Sequence, residues 1–175
     1  PPEYNGFKMN KGSSAMAGES IQELLNVFLQ SKFKAGEGSI TNKNILENHI
    51  DTIINSLEMP KRRLNVAIDC GNAVAGPAML DLFNNLEVDT VPIFCDWDNQ
   101  FPNHPPDPTR IENMQHLADV VRENNCDFGI GIDGDGDRVG LVDEKGNFIH
   151  PDKMLALFAI DVLKKREGLS EQERT

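Results

Sequence analysis

Short β-branched runs alternate with helix-period apolar stripes through the middle of this chain, and that alternation limits its fold more than any other feature. Leu64-Asn65-Val66-Ala67-Ile68-Asp69, the run from Val88 to Cys95, and Phe128-Gly129-Ile130-Gly131-Ile132 each read as a strand. Val139-Gly140-Leu141-Val142 follows closely, and Glu144-Lys145-Gly146-Asn147 reads as a turn into Phe148-Ile149. Between and around them lie five apolar stripes. They run through Ile21, Leu24, Leu25 and Phe28, then Leu46, Ile50, Ile53, Ile54 and Leu57. The others are Met79, Leu82, Phe83 and Leu86; Met114, Leu117, Ala118 and Val121; and Leu155, Phe158, Ala159 and Val162. Glu19-Ser20 is the expected cap of the first helix, and Pro77 suits the first turn of the third. A helix between successive strands favours a parallel sheet, and the closing hairpin adds an antiparallel edge. The expected class is α/β, with a mostly parallel, mixed sheet flanked by helices.

The two ends differ from this middle. Residues 1–43 hold a turn-like start, one helix and Gly36-Glu37-Gly38, and residues 149–175 hold one very apolar helix and a polar tail. Met154, Leu157 and Ile160 spread apolar character beyond one face of that last helix, so it expects burial on most sides. The organisation is therefore 1–43, 44–148 and 149–175. The opening Pro1-Pro2-Glu3, without a Met, reads as a piece of a longer protein.

Charge and cysteine content narrow the functional classes. With 39% hydrophobic residues a core can form, while a net charge of −11 with no basic stripe argues against nucleic-acid binding. An acidic protein that handles phosphate needs a bound cation or a local basic site. No run of about 18 apolar residues is present, so no membrane span is expected. Cys70, Cys95 and Cys126 are far apart and odd in number, which favours reduced, buried thiols in a cytoplasmic protein.

The chemistry concentrates in Asp133-Gly134-Asp135-Gly136-Asp137-Arg138. Two carboxylates about 5 Å apart repel by roughly 3 kcal/mol at an effective dielectric near 20, so three together call for a cation. Glycines at alternate positions let the backbone fold tightly, and carboxylate oxygens select Mg²⁺ or Ca²⁺ over softer metals. The loop also follows a strand, where ligands gather in open α/β sheets. The plain alternative is a solvated acidic turn. A calcium-binding module is a further alternative, because Asp133, Asp135, Asp137 and Glu144 fall at the first, third, fifth and twelfth positions of an EF-hand loop. Against it, Arg138 stands where that loop needs Gly, and the flanks read as strands.

The run Gly131-Ile132-Asp133-Gly134-Asp135-Gly136-Asp137-Arg138-Val139 resembles the magnesium loop of the α-D-phosphohexomutase superfamily. Pro1-Pro2-Glu3-Tyr4-Asn5-Gly6-Phe7-Lys8 looks like the stretch after that family's phosphoserine loop. Val66-Ala67-Ile68-Asp69-Cys70-Gly71-Asn72 looks like the opening of its second domain. Phe101-Pro102-Asn103-His104-Pro105-Pro106-Asp107-Pro108 is similar to a loop of the bacterial phosphomannomutase/phosphoglucomutase branch.

The resemblance implies a four-domain enzyme that interconverts hexose 1-phosphate and hexose 6-phosphate, of mannose or glucose, through a phosphoserine and a sugar bisphosphate. Residues 1–43 would then end the first domain, 44–148 form the second with the metal loop, and 149–175 begin the third. It implies Mg²⁺ held by Asp133, Asp135 and Asp137, Arg138 helping to bind phosphate, and Lys8 in acid/base or charge-stabilising work. Dication and guanidinium together suit phosphoryl transfer, which needs positioning and charge neutralisation above all. The family's serine would lie just before Pro1, so this chain alone is expected to be inactive without the remaining domains of its parent. Phosphoglucosamine mutase is the alternative within the family.

Each assignment has a plainer reading beside it. Lys8 can be a surface lysine, and Arg138 can pair with Asp143 or Glu144 across the hairpin. His104 reads as a structural histidine in a Pro-rich turn. His49 reads as helix packing. Gly71-Asn72 reads as a turn, and Ala73, where relatives often have Gly, puts a positive φ at that position in doubt.

Overall fold

The computed structural model describes residues 6–166. Pro1 to Asn5, part of the first segment of the resemblance, lie outside the described residues. The chain divides into two compact units, residues 1–43 and 44–175.

In the first unit, β1 (Asn10–Lys11) pairs antiparallel with β2 (Ser14–Ala15), a hairpin too short to leave an alternation signal in the sequence. Helix α1 (Glu19–Leu29) follows. The cap expected at Glu19-Ser20 is not made. Glu19 is already helical and Gly18 occupies the N-cap with a positive φ, so no side chain closes the first turn.

The second unit opens with α2 (Leu46–Ser56), β3 (Leu64–Asp69), α3 (Gly76–Asn84) and β4 (Val88–Ile93). A 3₁₀ turn (Ile111–Met114) then leads into α4 (Gln115–Glu123). Strands β5 (Phe128–Ile132), β6 (Val139–Asp143) and β7 (Phe148–Ile149) precede α5 (Pro151–Arg166). The strand order is β4-β3-β5-β6-β7. Strand β3 runs parallel to both β4 and β5, and β6 and β7 extend the sheet antiparallel, giving the mixed sheet expected.

Alternation along β3 builds one core on each face. Val66 and Ile68 pack with Cys70, Cys95 and Ile132 beneath Met79, Leu80 and Phe83 of α3. Ala67 packs on the other face with Leu117, Ala118 and Val121 of α4 and with Val142 of β6. The glycines of β5 belong to the α4 face. A Cβ at Gly129 would lie 2.7 Å from side-chain carbons of both Val121 and Val142, and one at Gly131 would lie 2.7 Å from the Met114 sulfur. Their absence lets α4 lie close over the strand.

Some expectations are corrected and others hold. Strand β4 stops at Ile93, short of Cys95, because Phe94 adopts φ +52° and turns the chain out of the sheet. Positive φ falls on Gly71 and Asn72, so Ala73 imposes no strain. His49 is exposed on α2, where Ile50 supplies the buried contact. Helix α5 buries Met154 but leaves Leu155, Leu157 and Leu163 at least 60% exposed. All three cysteines are buried and free. No helix among the described residues is long and apolar enough to cross a membrane.

Candidate metal centre

Strands β3, β4 and β5 run in one direction, so their carboxyl ends share an edge of the sheet. The acidic loop leaves that edge from β5 and returns as β6, with Ile132 opposite Val139. The backbone N–H of Asp133 donates to the Arg138 carbonyl at 3.1 Å, and that of Gly136 donates to the Asp133 carbonyl at 3.2 Å. Gly136, at φ +77°, supplies the left-handed step that this tight path needs. One carboxylate oxygen from each of Asp133, Asp135 and Asp137 then lies within 4.8 Å of the other two.

The three aspartates are not equivalent. Asp133 is 1% exposed, whereas Asp135 and Asp137 are open to water. Asp133 Oδ1 accepts the backbone N–H of Arg138 at 2.9 Å, and Oδ2 accepts its Nε–H at 2.7 Å. Burial pushes this carboxyl up, but the backbone and guanidinium hydrogen bonds of Arg138 outweigh it and hold the group below the usual carboxylate range. Each oxygen keeps a second lone pair for a cation. Three hard oxygens lie within reach of one another, one of them fixed from behind, and carboxylate oxygens are donors of the kind a hard divalent cation takes.

Arg138 does not pair across the hairpin. Asp143 instead accepts the backbone N–H groups of Lys145 and Asn147 and closes the β6–β7 turn. The guanidinium turns to Asp133 and, through Nη1, to Asp107 Oδ1 at 3.3 Å. The Asp133 hydrogen bond raises the arginine's pKa further, so its charge is permanent. Asp107 is held below the normal carboxylate range first by the Thr109 hydroxyl, then by the Thr109 N–H and the charges of Arg138 and Arg110.

Asp107 belongs to the Pro-rich segment beside the loop. His104 Nε2 lies 3.0 Å from Oδ2 of Asp69, which is 2% exposed at the end of β3, and His104 Nδ1 lies 2.9 Å from the Pro105 carbonyl. Both ring nitrogens thus face acceptors, an arrangement that the imidazolium alone satisfies. The Asp69 hydrogen bond correspondingly raises the His104 pKa. Pro106 sits against both turns: a Cβ at Gly71 would come within 2.9 Å of its side chain, and one at Gly134 within 3.6 Å.

The loop thus brings together Asp133, Asp135, Asp137 and Arg138. Lys8 is exposed, lies outside any regular element and belongs to the first unit. Sequence reasoning does not single out Asp69, Asp107 or Thr109. A carboxylate ending the apolar run of β3 was the available signal for Asp69. Asp107-Pro108-Thr109 carries a local turn signal, but nothing local marks the pairing of Asp107 with Arg138, 31 residues away.

A profile described as phosphoglucomutase/phosphomannomutase, alpha/beta/alpha domain II, matches residues 47–146. A phosphoglucomutase of Neisseria gonorrhoeae is 43% identical over 170 residues, covering 96% of this chain and 37% of that protein. A phosphomannomutase/phosphoglucomutase of Pseudomonas syringae pv. tomato is 42% identical over 168 residues, covering 96% and 36%. The chain thus spans a little over a third of the length of these curated relatives. The crystal structure of a phosphoglucomutase/phosphomannomutase family protein from Burkholderia thailandensis matches with a TM-score of 0.86 and 38% identity, over 96% of this chain and 36% of that one.

Proposed function

The chain belongs to the phosphoglucomutase/phosphomannomutase family, with its α/β/α domain II at residues 47–146, and on that premise we propose that it is part of a phosphohexomutase. The reaction is interconversion of the 1- and 6-phosphates of glucose or mannose, through a phosphoserine and a sugar bisphosphate. In this reading residues 1–43 end the first domain, 44–148 are the second, and 149–175 begin the third. The activity is proposed of the full-length parent protein, since the chain spans a little over a third of the length of its relatives. The location is cytoplasmic, a reading supported by three buried thiols without a disulfide.

The observation that carries the proposal is the convergence of three aspartates beside a fixed arginine at the carboxyl edge of the sheet. Asp133, Asp135 and Asp137 would hold Mg²⁺, which when bound offsets negative charge on the phosphoryl group in flight. Asp133 positions its oxygens through Arg138 before any ligand arrives. Arg138 presents its remaining N–H bonds to a phosphoryl oxygen, a charge-assisted contact. Lys8 Nζ gives or takes the proton at the oxygen that exchanges the phosphoryl group. The calcium alternative loses support, since the loop is flanked by strands β5 and β6, not by helices.

The test is turnover of glucose 1-phosphate and mannose 1-phosphate by the full-length parent protein, with and without Asp135→Asn. The proposal expects Mg²⁺-dependent turnover that falls by roughly a hundredfold or more in the variant. Turnover indifferent to both Mg²⁺ and the substitution would overturn it.

A further inference from the structure

A half-exposed arginine samples many rotamers unless its guanidinium is anchored. Arg138 is anchored at two nitrogens. Its Nε–H donates to Asp133 at 2.7 Å, and an Nη1–H donates to Asp107 at 3.3 Å. Two anchors on different nitrogens fix the plane of the group. They leave one Nη1–H and both Nη2–H bonds for an anion.

The second anchor is built in advance. Asp107 Oδ1 accepts the Thr109 hydroxyl at 2.6 Å and the Thr109 N–H at 3.2 Å. Its backbone carbonyl accepts Asn113 Nδ2–H at 2.9 Å. Upstream, His104 ties the same segment to buried Asp69, and Asn103 Nδ2 donates to Asn72 Oδ1 at 2.7 Å. A chain of contacts therefore runs from the end of β3 and the turn that follows it through the Pro-rich segment to the guanidinium. Outer partners of this kind orient the groups that meet a ligand.

We propose that Asp107, braced by Thr109, is a positioning residue for phosphate recognition: it holds the Arg138 guanidinium in the plane that receives a phosphoryl oxygen. This inference rests on the mutase reading above. Asp107 touches no substrate in this scheme and acts only through Arg138. The pair is partly exposed, with side chains 31% and 53% accessible, and such ion pairs contribute little to stability. A role in orientation therefore separates from a role in folding: the first moves the rate, the second the melting temperature.

The experiment compares full-length wild type, Asp107→Asn, Arg138→Ala and the double variant, reading kcat and KM for glucose 1-phosphate and the melting temperature of each. Asp107→Asn should lower kcat about tenfold while KM stays within about twofold and the melting temperature hardly moves. In the Arg138→Ala background the same substitution should cost less than about twofold. Thr109→Val, which leaves the Asp107 charge in place, should reproduce part of the kcat loss. Equal losses in both backgrounds, or a kcat loss matched by a fall in melting temperature, would overturn the positioning role. A wild type that is folded yet converts no hexose phosphate would instead overturn the mutase reading.

Discussion

Arg138 grips Asp133 at both oxygens, by its backbone N–H on Oδ1 and by Nε–H on Oδ2. The acidic loop is thereby divided into one buried, fixed carboxylate and two exposed ones. That division has consequences for stability that do not depend on any bound ion.

With divalent metal removed by chelator, Asp133→Asn and Asp135→Asn should have unequal effects on stability. The first weakens hydrogen bonds from the Arg138 backbone N–H and guanidinium to a carboxylate that is 1% exposed, and should cost about 1–3 kcal/mol. The second removes one of several crowded like charges in water, and should change stability by less than about 0.5 kcal/mol or raise it slightly. Urea titrations of the two variants check this. Equal destabilisation would contradict the inequality of the three aspartates.

His104 makes stability depend on pH near neutrality. Its contact with Asp69 raises its pKa in the folded state above the unfolded value, about 6.5. A raised value means that the contribution is fully present below the unfolded pKa and is lost as pH rises through the folded one. His104→Gln should therefore cost about 2 kcal/mol at pH 6, leaving Asp69 buried with less compensation, and less at pH 9. Denaturation of wild type and variant at both values measures the difference. A gap that widens with pH would contradict the imidazolium assignment.

Strands β3 and β5 were legible because their side chains alternate between two helix-covered faces, and the loop was legible because three aspartates at alternate positions need a physical reason. The strand order and the pairing of His104 with Asp69 were not. Partners 35 residues apart meet only after the sheet has formed, and no local periodicity encodes that. The early end of β4 turns on the backbone of Phe94, a residue type that gives no warning of a positive φ. His49 misled for a related reason: it is next to the apolar stripe of α2, but the neighbouring elements cover Ile50 instead.

The glycines of β5 provide a test of packing separate from the charged loop. Gly131→Ala would place a methyl 2.7 Å from the Met114 sulfur and should cost about 1–3 kcal/mol. Pairing it with Met114→Ala should recover part of the loss, since the clash is with a flexible side chain. Thermal unfolding of the single and double variants checks this, and strictly additive losses would contradict a close approach of the 3₁₀ turn before α4 to β5.

The central claim is that residues 133–137 form a binding site for a hard dication. Its most direct test is anomalous diffraction from crystals of the protein soaked in Mn²⁺. The account predicts one strong peak with an oxygen of each of Asp133, Asp135 and Asp137 within about 2.2 Å. Saturating Mn²⁺ with no peak at the loop, or a peak held by fewer than two of these aspartates, would contradict it.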